Sequence, residues 1–153
     1  MSIENMVNII KKIHPNYVAI IKIGAFYNSY GKDAYILSYL FGYKKKNFGK
    51  NNWMCGFPKN SLGYVQNTLE SKKINYILID RAHQYEVDEK VDFRNANRYE
   101  EFFKSAHKNI ILQERALNIY NYLIENIENV SLKGKIIKIE EILQNEEGKV
   151  CSN

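Results

Sequence analysis

Cysteine, proline and long apolar runs are all scarce in this sequence. The two cysteines, Cys55 and Cys151, are too few for the disulfide framework of a small secreted domain, and two prolines are too few for a proline-rich linker. No apolar stretch approaches the roughly 20 residues of a membrane-spanning helix. Residues 1–15 lack the charged start, apolar run and cleavage site of a signal peptide. We therefore expect a cytoplasmic protein with reduced thiols and no membrane association.

What the sequence does contain is typical of a folded domain with a sizeable core. Hydrophobic residues make up 45% and charged residues 25% of the 153 positions, proportions that exclude a disordered chain. This length corresponds to one domain, or to one domain with a helical appendage. The high content of Tyr, Lys, Asn and Ile is typical of an AT-rich genome, so lysine content alone does not indicate a nucleic-acid partner.

Charge is distributed unevenly along the chain. Residues 1–84 contain 12 Lys and Arg against 4 Asp and Glu, whereas residues 85–153 contain 10 against 13. Genome composition would raise lysine throughout and would not separate bases from acids. The basic first half favours a polyanionic partner there, although a protein whose two halves attract each other would have the same distribution.

Hydrophobic spacing predicts that helices and strands alternate up to about residue 92. Gly42 is expected to end one helix in a left-handed cap and Ser61 to cap another, while residues 49–52 form a hairpin turn. The pattern predicts an α+β fold, in which a mixed β-sheet is flanked by helices. The predicted helices are 2–13, 32–41 and 62–72, and the predicted strands are 16–26, 43–48, 53–57, 74–79 and, more weakly, 85–91.

The pattern after Asn95 is entirely helical, which predicts a C-terminal helical extension. Ser131 and Gly134 interrupt its apolar stripes, which must pack on the sheet, on each other or on a second copy of the chain. A homodimer through these helices is one of the three alternatives, and its interface would be expected in the aromatic-rich stretch 99–124. The predicted domains are 1–93, the extension 94–147 and a polar tail 148–153. The stripes contain Tyr99, Phe103, Ala106 and Ile110, then Leu117, Tyr120, Ile124 and Ile127, then Ile136, Ile139 and Leu143.

The segment from Gly24 to Ala34 carries the most specific motif. Its sequence, GAFYNSYGKDA, is expected to lie at a strand end, to cross a turn and to enter a helix. It resembles the pattern G-D-F-Y-E-x-F-x-x-D-A of the first domain of the MutS mismatch-repair proteins. Three further segments resemble that family in the same order, and together they cover about residues 1–92. These segments are Tyr39–Gly42, Cys55–Pro58 and Tyr76–Asp80.

The resemblance implies a MutS domain I-like fold and a DNA-binding role. In the family, the motif phenylalanine wedges into the duplex and stacks on the mispaired base, and the glutamate two residues later hydrogen-bonds that base. By motif position the wedge is Phe26, while Asn28 replaces the glutamate and Ala25 replaces the aspartate of the pattern. Asn28 can donate and accept towards a base but lacks the negative charge. The alternative is that Phe26 and Tyr27 are core aromatic residues.

A group of lysines is expected to contact DNA phosphates. Lysine and asparagine on a protruding hairpin suit contacts that position a duplex without reading its sequence, although a solvated charged hairpin has the same composition. The predicted DNA-binding residues are Phe26, Asn28, Lys22, Lys32, Lys44, Lys45, Lys46 and Lys50.

An enzymatic function is not expected from these residues. The 153 positions contain no phosphate-binding motif of an ATPase, and the remaining domains of a MutS protein do not fit after residue 93. We expect no cofactor and no resident metal in a stand-alone module that binds mismatched or distorted double-stranded DNA. One alternative is a protein-interaction or dimerisation module that kept the fold. A second is a small metal-dependent nuclease that uses Asp80, His83, Glu86 and Asp88.

Overall fold

The computed structural model describes residues 1–151, with side chains up to Asn145. Residues 152 and 153 of the predicted polar tail 148–153 lie outside the described residues. The helices are α1 (Ile3–Ile13), α2 (Lys32–Phe41), α3 (Leu62–Ser71), α4 (Tyr99–Glu125) and α5 (Val130–Cys151). The strands are β1 (Val18–Ile23), β2 (Phe26–Tyr30), β3 (Lys46–Asn47), β4 (Trp53–Pro58), β5 (Tyr76–Asp80) and β6 (Glu86–Val91).

The six strands form one mixed sheet in the order β3-β4-β2-β1-β5-β6. Strands β1 and β5 run parallel, from Val18 opposite Tyr76 to Lys22 opposite Asp80. All other neighbours are antiparallel. The parallel pair needs a long crossover, which β2, α2, β3, β4 and α3 supply. The predicted α+β fold, with helices flanking a mixed sheet and a helical extension after it, is confirmed.

Apolar side chains cover both faces of the central strands. One face packs on α2, α3 and the start of α4, and its core includes Tyr27, Phe57 and Tyr76. The opposite face packs on α1 through Val7 and Ile10. Strand β5 is buried at every position, which explains why its sequence, YILID, is almost continuously apolar and does not alternate.

A buried carboxylate links four elements of this first part of the chain. Asp33 is 1% exposed, and it accepts hydrogen bonds from Lys11 Nζ at 3.0 Å, from Ala19 N at 3.0 Å and from Tyr99 Oη at 2.6 Å. Burial raises the pKa of Asp33, whereas Lys11, Tyr99 and Ala19 act in the opposite direction. The carboxylate therefore holds α1, β1 and α4 around the first turn of α2.

The predicted single strand 16–26 is wrong, because the chain reverses within it. Gly24 has φ of +62°, and it forms with Ala25 a two-residue turn between the paired residues Ile23 and Phe26. Glycine adopts this left-handed backbone without steric cost, and such turns close β-hairpins. The motif was expected to run from a strand end through a turn into a helix. It runs instead from the turn at Gly24 through strand β2, residues 26–30, and then into α2.

Other local predictions have mixed outcomes. Gly42 ends α2 with φ of +71°, as predicted. Ser61 makes no capping hydrogen bond, because it belongs to a 3₁₀ turn, Lys59–Ser61, that leads into α3. The predicted strand 43–48 shortens to Lys46–Asn47. Ser131 and Gly134 do not interrupt a helix but lie within α5, and the break falls at residues 126–129.

The chain divides into two units, Met1–Asn109 and the residues from Ile110 onwards. In the described part of the second unit, Leu132 is the one apolar side chain that is buried. No helix among the described residues has the length and apolar character needed to cross a membrane. The proposed boundary at residue 93 stays a prediction. The large apolar side chains exposed between residues 110 and 145 are Leu112, Leu117, Ile119, Tyr120, Tyr122, Ile124, Ile127, Val130, Ile137, Ile139, Ile142 and Leu143.

Candidate nucleic-acid interface

The β1–β2 hairpin presents one aromatic ring to solvent and buries its neighbour. Successive side chains of β2 point to opposite faces of the sheet. Phe26 is 55% exposed, whereas Tyr27 is 8% exposed and stacks on Phe57 with ring centroids 5.6 Å apart. The alternative in which both rings belong to the core is therefore correct for Tyr27 and wrong for Phe26.

Phe26 and Asn28 line a shallow concave pocket of about 460 Å³. Two lysines line the same pocket: Lys44, just before the β3–β4 hairpin, and Lys46, the first residue of β3. The structure thus brings together four of the eight predicted DNA-binding residues. The pocket is completed by Ile23, Tyr43, Met54, Cys55 and Gly56.

Gly56 determines where the Asn28 side chain lies. The two residues are opposite each other in the β2–β4 register, and a Cβ atom on Gly56 would lie 2.5 Å from Asn28 Oδ1. The carboxamide therefore rests over the glycine backbone. Among the described residues, no hydrogen-bond partner of the Asn28 side chain is found, so its donor and acceptor are available in the pocket.

Three of the predicted DNA-binding lysines contact other parts of the protein. Lys22 Nζ lies 3.6 Å from Asp80 Oδ2. Lys32 Nζ lies 4.7 Å from the ring centroid of Phe103, a cation–π contact with α4. Lys45 lies over the rings of Tyr35 and Trp53, at 5.1 and 5.6 Å. These contacts give each of the three lysines a role within the fold.

Lys50 is at the β3–β4 hairpin and does not line the Phe26 pocket. It lines a second, open depression of about 460 Å³ together with Asn47, Gly49, Asn51 and Trp53. The turn before Trp53 closes with a hydrogen bond from Phe48 N to Asn52 O of 2.8 Å, which confirms the predicted hairpin. The lysine and the asparagines there are exposed polar groups of the kind that bind phosphates.

Asp80, the last residue of β5, has hydrogen-bond and charge partners within the protein. Asp80 accepts a hydrogen bond from Ala82 N at 2.8 Å, and this bond, together with Lys22 and His83, holds the pKa of Asp80 below its ordinary value. Among the described residues, no group of three or more His, Cys, Asp and Glu side chains could hold a metal ion. The nuclease alternative thus gains no support from these residues.

Sequence reasoning did not identify Gly56, Tyr43 and Met54 as pocket residues. Gly56 belongs to the Cys55–Pro58 segment, where a glycine within a strand is a signal of close approach by another group. Tyr43 gives no such signal, because it lies in an irregular segment between α2 and β3. Its ring stacks on Phe57 at 5.6 Å, a contact that links the pocket to the core.

Fold and site together define a class of protein: a small α+β domain with an exposed strand-borne aromatic ring beside a basic hairpin. A family model described as MutS domain I matches residues 2–100, and the chain belongs to this family. MutS domain I is the mismatch-recognition, DNA-binding domain of its proteins and is not catalytic. A comparison with curated proteins found no match.

Proposed function

We propose that this chain is a non-catalytic module that binds distorted or mismatched duplex DNA through Phe26 and the lysines around it. The observation that carries the proposal is the exposure of Phe26, 55%, at the rim of a pocket shared with Asn28, Lys44 and Lys46. An exposed ring on a paired β-hairpin next to two lysines suits a ligand that offers both a stacking surface and negative charge.

Stacking on a base is the main contribution that Phe26 would make to the free energy of DNA binding. An aromatic side chain stacked on a base is worth about 1–3 kcal/mol, and every base offers a suitable face. A ring inserted between base pairs must also unstack a step, which requires the least energy where pairing is already weak. Selection of a mismatch therefore follows from deformability of the duplex.

Asn28 would contact the base that Phe26 displaces. Its side chain lies in the same pocket and has one acceptor and one donor group free. Because asparagine is neutral, it attracts a base edge without repelling the phosphates nearby. The expected consequence is weaker discrimination between matched and mismatched DNA than a glutamate at this position would give.

The lysines would supply binding energy that does not depend on sequence. Lys44 and Lys46 lie closest to the proposed stacking site because they line the pocket itself. Lys50, on the hairpin turn, would contact the phosphate backbone further along the duplex. Lys22, Lys32 and Lys45 would contribute through the general positive potential, since their nearest partners belong to the protein.

Fluorescence anisotropy with three labelled duplexes tests the proposal. The duplexes are matched, singly mismatched and with one unpaired base, each titrated over a series of salt concentrations. Phe26→Ala should weaken binding to the mismatched duplex by roughly 5- to 150-fold, the equivalent of about 1–3 kcal/mol. Tyr39→Ala, which removes another exposed aromatic ring (43%) from α2, is the matched control and should bind normally.

Two outcomes would contradict different parts of the proposal. Equal affinity of the wild-type protein for matched and mismatched duplexes would exclude mismatch selection and leave DNA binding intact. An absence of binding at low salt would exclude a DNA-binding role altogether. In that case the exposed apolar surface of the second unit would make protein interaction the better assignment.

A further inference from the structure

The end of the sheet that carries Phe26 is open. Strand β4 ends there at Pro58, opposite Phe26, and β5 ends there at Asp80, beside Lys22 of β1. The exposed residues at this end are Gly24, Ala25, Phe26, Pro58, Lys59 and Arg81. No described part of the first unit covers them, so a large ligand can reach this end of the sheet.

Arg81 lies on the same face of the sheet as Phe26. Alternation along β2 puts Phe26 and Tyr30 on one face. Tyr30 belongs to the core on the α1 side, as does Ile79 of β5, and Arg81 is two residues beyond Ile79. Burial raises the pKa of Tyr30, the nearby Tyr85 adds to this rise, and the positive charge of Arg81 acts in the opposite direction. The guanidinium group is therefore on the Tyr30 side of the sheet.

The turn that carries Arg81 is fixed by Asp80. The Asp80 carboxylate accepts a hydrogen bond from Ala82 N at 2.8 Å, and Asp80 O accepts one from Tyr85 N at 3.0 Å. The charge of Asp80 is balanced by Lys22 Nζ at 3.6 Å. Among the described residues, Arg81 has no ion-pair partner. Its charge is therefore available to a ligand.

The same turn holds two side chains in a strained backbone conformation. Gln84 has φ of +56° and Tyr85 has φ of +61°, a region that bulky residues rarely adopt. Tyr85 nevertheless packs on the core of the α1 side. Backbone strain persists where the surrounding structure enforces it, and it concentrates at binding and catalytic sites. The strain and the free charge of Arg81 both favour a ligand contact at this turn.

Positive charges lie on both sides of Phe26. In the strand order β3-β4-β2-β1-β5, Lys46 is on β3, two strands from Phe26, and Arg81 follows β5, two strands away on the other side. Because neighbouring strands are about 4.8 Å apart, each of the two backbone positions is roughly 10 Å from β2. A ring that enters a groove of duplex DNA has a phosphate backbone on each side of it. Cations on both sides of the ring match that arrangement.

We infer that Arg81 binds a DNA phosphate on the β5 side of Phe26, across the ring from Lys44 and Lys46. This inference rests on the proposed function and adds a residue that lies outside the sequence motif. The planar guanidinium group donates two parallel hydrogen bonds to phosphate oxygens, which fixes the duplex backbone more strictly than an ammonium group does. Arg81 thereby positions the duplex and reads no base.

The salt dependence of DNA binding tests the role of Arg81. Arg81→Gln should lower the slope of log affinity against log salt concentration by about 1 and should weaken binding to matched and mismatched duplexes equally. Arg81→Lys should restore the slope. Arg94→Gln is the matched control, because this exposed arginine follows β6 at the opposite end of the sheet, and it should keep the wild-type slope. An unchanged slope for Arg81→Gln would overturn the inference, whereas a wild-type protein that binds no DNA would exclude the proposed function itself.

Uncharged methylphosphonate groups test whether the contact lies on the opposite side of the ring. They replace the phosphates on one side or the other of an unpaired base, and each replacement should weaken binding of the wild-type protein. Arg81→Gln should become insensitive to replacement on one side, and Lys44→Gln with Lys46→Gln should become insensitive to replacement on the other. If both variants became insensitive on the same side, the placement of Arg81 across the ring would be overturned.

Discussion

Asn28 Oδ1 lies 2.5 Å from the position that a Cβ atom on Gly56 would occupy. The two residues face each other across β2 and β4, so the glycine provides the space in which the carboxamide lies. This relationship connects the sequence motif around Phe26 with the Cys55–Pro58 segment, and it makes the position of Asn28 depend on a residue that has no side chain.

Substitution of Gly56 should therefore displace Asn28. Gly56→Ala is expected to turn the Asn28 carboxamide away from β4 and so to weaken DNA binding, at a cost of about 1 kcal/mol or less in the free energy of unfolding, because the nearest atom is the end of a flexible side chain. The effect on stability should be smaller when Asn28→Ala is also present, since the nearest clash is then removed. Gly63→Ala in α3, where nothing lies within 4 Å of the added atom, should be neutral or stabilising. Urea denaturation of Gly56→Ala, Asn28→Ala, the variant with both changes and Gly63→Ala measures these differences.

The two pocket lysines should influence the salt dependence of DNA binding. Each phosphate contact contributes close to one unit to the slope of log affinity against log salt concentration. Lys44→Gln with Lys46→Gln should lower the slope by about 2 and should weaken binding to matched and mismatched duplexes equally. Lys12→Gln, an exposed lysine on α1, controls for the loss of general positive charge. A change confined to the mismatched duplex would contradict the assignment of these lysines to phosphates.

Asp33 should be one of the most sensitive positions in the first unit. Asp33→Ala leaves the buried hydroxyl of Tyr99 and the ammonium group of Lys11 without their carboxylate partner, a change that typically costs about 3–5 kcal/mol. Tyr99→Phe removes a single hydrogen bond to the same carboxylate and should cost about 1.5–3 kcal/mol. Chemical denaturation followed by tyrosine and tryptophan fluorescence should give this order. A larger loss for Tyr99→Phe than for Asp33→Ala would contradict it.

Acid should destabilise the fold partly through Asp80. The hydrogen bond from Ala82 N, and then the charges of Lys22 and His83, hold the pKa of Asp80 below its ordinary value of 3.8. A carboxyl group whose pKa is lower in the folded state binds protons more readily when the chain unfolds. Asp80 therefore stabilises the folded state above its ordinary pKa, and this stabilisation is lost as the pH falls through the folded-state pKa.

Melting temperatures measured from about pH 5 down to about pH 2 test this dependence. Asp80→Asn should be less stable than the wild-type protein at the upper end and should lose less stability towards the lower end. Parallel curves for the two proteins would show that Asp80 does not contribute to the acid response. Glu86→Gln, at the exposed start of β6, controls for removal of an acid from the same segment.

Part of the fold could be predicted from sequence because local signals determine it. The spacing of Ile9, Ile10 and Ile13 and the glycine at position 42 sufficed for α1 and for the end of α2. Strand β2 was missed because the segment lies between Gly24 and Gly31 and has polar Asn28 and Ser29 at its centre, which are typical of turns. Its polar Ser29 is nevertheless buried, since its hydroxyl donates to Ala19 O at 2.7 Å. That partner is ten residues away and is not visible in a local pattern.

The start of α5 was misplaced for a different reason. Ser131 and Gly134 weaken a helix only modestly, by up to about 1 kcal/mol each. The signal for the helix start is Asn129, whose Oδ1 accepts hydrogen bonds from Ser131 N at 3.0 Å and from Ser131 Oγ at 2.8 Å. Asparagine is a common N-cap residue, but it is also common in turns. Neither Asn129 nor helical periodicity alone could therefore locate the start of α5.

The candidate site was predictable to the extent that it lies in one motif. Phe26 and Asn28 were assigned from one motif, and strand β2, which the sequence did not predict, places both on the same face of the sheet. The sequence could not separate the lysines that line the pocket from those that contact other parts of the protein, because these contacts are with residues distant in sequence. Lys32 contacts Phe103, and Lys22 contacts Asp80. Such contacts depend on the tertiary structure, so sequence reasoning treated all six lysines alike.

The hydrogen bond between Tyr99 and Asp33 has a practical consequence for anyone who wishes to isolate the MutS domain I part of the chain. A fragment that ends at residue 93 lacks Tyr99, which is fully buried, and Ala106, which is also fully buried. It would expose the apolar surface that these residues cover and remove one donor from a buried carboxylate. A fragment that ends at Asn109 keeps both and matches the first unit. The first three turns of α4 thus complete the core of the domain, and a fragment that is to fold as the first unit does needs them.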